Sequence, residues 1–86
     1  MPSERSARTS ERRRIRNRQT RRATRTIVTS ATSSLRDSSP EEAEPAVRQA
    51  IRALDRAVRK GVLHRNNAAR RKARLMAKVN AAQNAS

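Results

Sequence analysis

The sequence predicts an all-α protein: an antiparallel three-helix bundle with a long, Arg-rich N-terminal helix that extends beyond it. Three short apolar stripes recur at spacings of three and four residues, which is helical periodicity. Short polar turns separate the stripes, and short connections favour antiparallel neighbours. The 86 residues form at most one domain, 1–86, with helices expected at about 3–36, 40–60 and 66–83.

The first helix divides into a half that packs and a basic arm, residues 3–26. One apolar stripe marks the packing half: Ile27, Val28, Ala31 and Leu35. In the basic arm, Arg points all round the helical wheel and leaves no face to bury. Because like charges repel, the arm should be largely disordered when free and become helical on a phosphate surface. The Thr- and Ser-rich segment 26–34 consists of weak helix formers, so the continuity of the helix stays open.

The second helix carries start and stop signals. Ser39 at the N-cap, Pro40 at the first helical position and Glu42 at the third are typical of a helix start. Pro45 removes one backbone hydrogen bond and so allows a start one turn later. Gly61, the only glycine, should end the helix as a left-handed cap. The apolar stripe between these signals is narrow: Val47, Ala50, Ile51, Leu54 and Val58.

The third helix follows a short reversal after the glycine. Leu63 can cover the end of the core, and Asn66 or Asn67 can cap the new helix or bond to ribose and phosphate. The three stripes together give the predicted core: Ile27, Val28, Ala31, Leu35, Val47, Ala50, Ile51, Leu54, Val58, Leu63, Leu75, Met76 and Val79.

Charge is the strongest functional signal in the sequence. The chain has 22 Lys and Arg against seven Asp and Glu, which leaves +15. Residues 1–36 carry +9 and residues 61–86 carry +6, while residues 37–60 are neutral. An isolated fold of this size repels itself, and a polyanion, usually nucleic acid, relieves the repulsion. Nineteen of the bases are Arg, which binds phosphate oxygens in pairs, although G+C-rich coding would also favour Arg over Lys.

The composition excludes most catalytic and metal-binding chemistry. The chain has no cysteine, so neither a disulfide nor a thiolate zinc site can form. His64 is the only histidine and has no partners for a metal site or a catalytic triad. A single glycine cannot make a phosphate-cradling loop. We therefore expect no enzyme, no metal, no cofactor and no small-molecule substrate.

The sequence also gives little support to membrane association or to the recognition of individual bases. The sequence has no apolar run of the length that a secretion signal or a membrane span requires. A cationic membrane-surface helix needs a broad apolar face, which the basic arm lacks. The chain also has no Phe, Trp or Tyr, on which single-strand readers stack bases. Recognition should therefore follow the shape and phosphate layout of a folded nucleic acid.

Phosphate-binding candidates fall into two groups. Those on the basic arm are Arg5, Arg8, Arg12, Arg13, Arg14, Arg16, Arg18, Arg21, Arg22 and Arg25. Those on the third helix flank or lie opposite its apolar stripe, and they are Arg65, Arg70, Arg71, Lys72, Arg74 and Lys78. Each phosphate contact releases counterions, so affinity should fall steeply with salt.

The segment Lys60–Leu75 resembles the signature of one family, the bacterial and plastid small-subunit ribosomal protein S-twenty (S20). In that family a run of Lys-Gly-aliphatic-aliphatic-His-basic-Asn-x-Ala-Ala-Arg-basic-Lys opens the last helix, and this segment has the same order. Leu54–Arg59 also fits, as do Ser6–Arg8 and Arg14–Asn17 in the arm. Two departures are Ala73, where the family usually has Ser, and the Thr/Ser-rich segment 26–34, which replaces a more charged one.

The resemblance implies a three-helix bundle that binds 16S ribosomal RNA directly, low in the body of the small subunit and early in assembly. It extends the RNA-binding candidates to residues in the matched segments: Asn17, Lys60, His64, Asn66 and Asn67. For His64, a structural role in the turn between the second and third helices is an equal alternative. We expect a structural constituent of the small subunit, bound to 16S RNA and, through assembly, to other ribosomal components. We expect the protein in the cytoplasm of a bacterium, with a plastid stroma as the less favoured location. The alternative is that the chain is a nucleoid-type DNA-binding protein.

Overall fold

The structure, a computed structural model, describes residues 4–84, with side chains from residue 6 onward. Three helices account for nearly all of this range: α1 (Glu4–Asp37), α2 (Pro40–Arg59) and α3 (Arg65–Asn84). No strand occurs between residues 4 and 84, so the predicted all-α bundle with a long first helix is confirmed. The expected helix start at residue 3 lies outside the described residues.

α1 is one unbroken helix through the Thr/Ser-rich segment. Thr24, Thr26 and Thr32 each donate a hydroxyl hydrogen bond to the carbonyl four residues upstream, at 2.8, 3.0 and 3.1 Å. These hydroxyls are therefore satisfied within the helix and do not draw the backbone into a turn. The small side chains also let α1 lie close to α2, and Ala31 in this contact is fully buried.

The basic arm is helical and projects from the bundle. Every side chain from residue 6 to residue 16 is exposed, and the molecule measures 61 × 21 × 13 Å. This differs from the prediction of a largely disordered arm. The physical reason is that α1 is already nucleated in its packed half, and extending a helix costs far less than starting one. An exposed ion pair between Arg14 and Glu11 (3.9 Å), one turn apart, adds a little support.

The N-terminus of α2 is fixed as its sequence predicts. Ser39 has extended backbone angles, and its Oγ accepts a hydrogen bond from the backbone N–H of Glu42 at 3.2 Å. Pro40 occupies the first helical position, where its missing N–H is not needed. The helix therefore begins at Pro40, and Pro45 does not delay its start.

Replacing Ser39 with Ala should lower the free energy of unfolding by about 1 kcal/mol. The substitution removes the acceptor for one N–H of the first turn and changes no packed surface. Chemical denaturation followed by circular dichroism measures the loss. Ser38→Ala is the matched control, since that residue is exposed and lies outside the cap. Equal midpoints for the two variants would contradict the capping assignment.

The C-terminus of α2 ends in a left-handed glycine cap. Gly61 has φ of 74°, the region that L-residues rarely adopt. Its N–H donates to the carbonyl of Val58 at 2.9 Å, and the N–H of Val62 donates to the carbonyl of Ala57 at 3.0 Å. This pair of bonds is the Schellman arrangement. It reverses the chain so that α3 packs back along α2.

The core is thin and largely made of alanine. Its buried apolar members are Ala31, Leu35, Ala43, Val47, Ala50, Leu54, Ala57, Ala68 and Leu75. The chain has no aromatic side chains and so few large apolar groups to bury. The helices instead pack at short distance, with small alanine side chains in contact between them. Leu54 and Leu75 are the largest side chains that are almost completely enclosed.

The observed core differs from the predicted one at its margins. Met76 was expected inside but is 41% exposed. It follows Leu75 by one residue, and that step of about 100° turns it away from the buried stripe of α3. Thr24 is buried although it is polar, because its hydroxyl is bonded within α1. Three buried alanines were also absent from the predicted core: Ala43, Ala57 and Ala68.

Candidate nucleic-acid interface

A groove runs between α1 and α3, and its α3 wall is basic. Val28 and Thr32 form the α1 side. The α3 side is formed by Asn67, Arg70, Arg71, Arg74, Leu75 and Lys78. Spacings of three and four residues keep these cations on one face of α3. None of the described residues that line the groove is acidic, so no carboxylate among them balances its charge.

A smaller cavity continues this groove toward the basic arm. Arg21 and Arg25, one turn apart on α1, line it together with Arg71 of α3. Thr24, Ala57 and Leu63 complete the walls. Arg71 borders both the groove and the cavity, so the two regions form one continuous surface. We call this surface the basic face, and its cations are Arg21, Arg25, Arg70, Arg71, Arg74 and Lys78.

Asn67 holds Arg71 in place within the basic face. Its Oδ1 accepts a hydrogen bond from Nε of Arg71 at 2.9 Å, one turn along α3, and both residues are half-buried. Bonding through Nε leaves the terminal nitrogens of the guanidinium free to donate elsewhere. Asn67 therefore positions the Arg71 side chain and does not cap the helix.

His64 caps α3, a task the sequence had left to Asn66 or Asn67. Its Nδ1 accepts a hydrogen bond from the backbone N–H of Asn66 at 3.1 Å, and its carbonyl accepts from the N–H of Ala68 at 3.1 Å. The helix begins at Arg65, so His64 occupies the N-cap position. With Nδ1 engaged in the turn, the other ring nitrogen, Nε2, is left for contacts outside it. The exposed side chain thus supports the turn and still presents one ring nitrogen to the surroundings.

Lys72 lies apart from the other cations of α3. Its ammonium group pairs with the carboxylate of Asp55 on α2, and its side chain is 35% exposed. Lys72 follows Arg71 by one residue, so it faces α2 and lies outside the groove between α1 and α3. The structure therefore places Lys72 in a contact between helices, where sequence reasoning had grouped it with the phosphate-binding residues.

The remaining candidates are distributed over the basic arm and the turn after α2. Between residues 8 and 25, each arginine of the arm is exposed, and Asn17 is partly buried. The arm therefore presents charge to every side. The side chain of Arg5 lies outside the described residues. Lys60, Arg65 and Asn66 are exposed around the start of α3, close in sequence to the His64 cap.

The outer face of α2 contrasts with the basic face. Glu41 and Glu44 lie there beside three arginines, in a groove of mixed charge. These arginines are Arg48, Arg52 and Arg56. Arg48 is paired with Glu44 one turn away. The molecule therefore offers an unbalanced positive surface on the side of α1 and α3. On α2, two glutamates partly compensate three arginines, and we call this surface the compensated face.

The described part of the chain holds no group of three or more acidic or histidine side chains that could bind a metal ion. None of its helices is long and apolar enough to cross a membrane. A helical bundle that carries an unbalanced arginine surface is typical of the class of nucleic-acid-binding proteins.

Comparison with protein families identifies the class more closely. The family model described as Ribosomal protein S20 matches residues 2–80, which is most of the chain. The chain therefore belongs to the ribosomal protein S20 family, structural proteins of the small ribosomal subunit. A search of curated proteins found no match.

Proposed function

We propose that this protein binds 16S ribosomal RNA directly through phosphate contacts and supports assembly of the small subunit. The observation that carries the proposal is the basic face, where cations from two helices meet with no acidic residue among the lining side chains. Arg suits this task because its planar fork matches two phosphate oxygens. The proposed setting is a bacterial ribosome, where other ribosomal components would join during assembly, with a plastid ribosome as the second choice.

The two basic regions would act differently. The basic face is built on packed helices, so its backbone is fixed before RNA arrives and little backbone conformational entropy is lost on binding. The basic arm projects from the bundle and presents arginines all round its axis. It can therefore enter a cleft between RNA helices and neutralise phosphates on several sides. Together the two regions would hold neighbouring RNA helices in a fixed relation.

Recognition through shape follows from what the surface offers. The chain contains no aromatic residue on which a base could stack. The donors of the basic face are guanidinium and ammonium groups, which bind phosphate irrespective of the base attached. Selectivity for one RNA must then come from the spacing of phosphates in its folded form.

The salt dependence of binding tests the proposed role of the α3 part of the basic face. Replacing Arg70, Arg74 and Lys78 together with Gln should make the slope of log affinity against log salt shallower by about 2 to 3, because each lost phosphate contact contributes roughly 0.7 to 0.9. Filter binding to folded 16S RNA over a range of salt concentrations gives the slope.

The matched control removes the same charge from the compensated face. Arg48, Arg52 and Arg56 are exposed on α2, and Gln at all three positions should leave the slope nearly unchanged. If both triple variants flatten the slope equally, binding depends on net charge alone and the basic face has no special role.

A further inference from the structure

The cavity between the basic arm and α3 concentrates like charges in an unusual way. Arg21 and Arg25 of α1 and Arg71 of α3 line it. Packing of α1 on α3 therefore places three arginines around one small space, here called the arginine cavity. Its other walls are Thr24, Ala57 and Leu63.

Among the residues that the structure describes, no carboxylate lines the arginine cavity. Four of the acidic side chains that the structure describes are paired elsewhere, with Arg14, Arg36, Arg48 and Lys72. Ala57 is 1% exposed and Leu63 is half-buried, so the wall beside the arginines is apolar and screens their repulsion less than water does. The free protein therefore carries an electrostatic cost where α1 meets α3.

The α3 arginine of the arginine cavity is also held in position. Arg71 is half-buried and fixed through Nε by Asn67 at 2.9 Å, so it cannot swing out freely to reduce the repulsion. Thr24 is 6% exposed, and its hydroxyl donates to the carbonyl of Thr20, which leaves the Oγ1 hydrogen committed. Arg21 and Arg25 lie one helical turn apart and flank Thr24. A fixed guanidinium from α3, with two further cations on the facing helix, makes a partly preorganised anion site.

We infer that the arginine cavity is a phosphate-binding site that takes one backbone phosphate of RNA and locks α1 against α3. The inference rests on the proposed function for the source of the phosphate. A second expectation does not depend on RNA. The three arginines should destabilise the bundle when the cavity is empty and stabilise it when an anion is bound there. Anything that binds only the folded state raises its stability by mass action, so inorganic phosphate should act as a partial substitute for RNA.

Thermal unfolding without RNA tests the site independently of the proposed function. The wild-type midpoint should rise in sodium phosphate above its value in sodium chloride at matched ionic strength and pH. Arg71→Gln, measured in chloride, should unfold roughly 2 to 4 °C above wild type, because it removes the repulsion. The same variant should lose most of the rise specific to phosphate. Arg25→Gln provides a second variant from the other helix.

Arg52→Gln is the matched control, since it removes the same charge from an exposed position on α2. It should keep the wild-type response to phosphate. If Arg71→Gln and Arg25→Gln both behave like Arg52→Gln, the inference is overturned, while binding of 16S RNA by the rest of the surface still stands.

A binding assay then identifies the source of the phosphate. Arg71→Gln should weaken binding to folded 16S RNA by roughly fivefold to tenfold, with Arg52→Gln close to wild type. A lost response to inorganic phosphate together with unchanged RNA affinity would show that the site takes free phosphate, which overturns its assignment to RNA. If wild type fails to bind the RNA at all, the proposed function fails, whatever the unfolding data show.

Discussion

Replacing Arg14, Arg18 and Arg22 together with Ala should weaken binding to folded 16S RNA by roughly 10- to 100-fold at moderate salt. All three side chains are exposed on the basic arm, and their spacing of four residues places them along one face of α1. Each substitution removes a charge-assisted contact with phosphate, and Ala favours helix formation, so the arm should keep its helix. Equilibrium binding by filter retention or fluorescence anisotropy measures the effect.

The control for the arm carries the same number of substitutions on α2. Ala at positions 48, 52 and 56 also removes three exposed arginines, but from the compensated face. This control should bind within about threefold of wild type, since it loses only the long-range attraction that salt screens. An arm variant that binds as tightly as its control would refute direct contact between the arm and RNA.

Replacing Leu54 with Asp should abolish cooperative folding of the bundle. Leu54 is 0% exposed and lies in the middle of α2. Removing its side chain costs about 3 kcal/mol, and an unpaired carboxylate in its place adds several more. A domain of this size has only about 5 kcal/mol of stability to lose. Circular dichroism should therefore show a loss of most helical signal and of the thermal transition.

Met76→Asp is the control for this substitution. Sequence periodicity places Met76 in the core with Leu54, but the side chain is 41% exposed. Asp at position 76 should therefore fold, with a modest fall in the melting temperature. If Met76→Asp unfolds the protein while Leu54→Asp does not, the packing described for α2 and α3 is wrong.

The fold could be predicted because its signals are local. The N-cap at Ser39 and the left-handed Gly61 each need only the few residues around them, and the structure confirms both. Apolar stripes at helical spacing give the helices and their number. The order of the basic arm was predicted wrongly, since composition favours disorder whereas α1 is extended from a half that is already packed.

The details of the surface depend on contacts that spacing alone does not reveal. The pairing of Lys72 with Asp55 requires α3 to lie against α2 at one particular register. The shared cavity of Arg21 and Arg71 joins residues far apart in the chain. The bond from Arg71 to Asn67 does lie within one helical turn, and an Asn four residues before an Arg could have indicated it. Capping by His64 was missed because Asn is the commoner cap.

Competition between nucleic acids tests the central claim most directly. The affinity of the protein should be measured at physiological salt for folded 16S RNA, for duplex DNA and for mixed RNA. We expect folded 16S RNA to bind at least about tenfold more tightly, because shape-matched contacts add to an attraction that all three polyanions share. Equal affinity for all three would contradict the account and favour a nucleoid-type protein that binds any phosphate backbone.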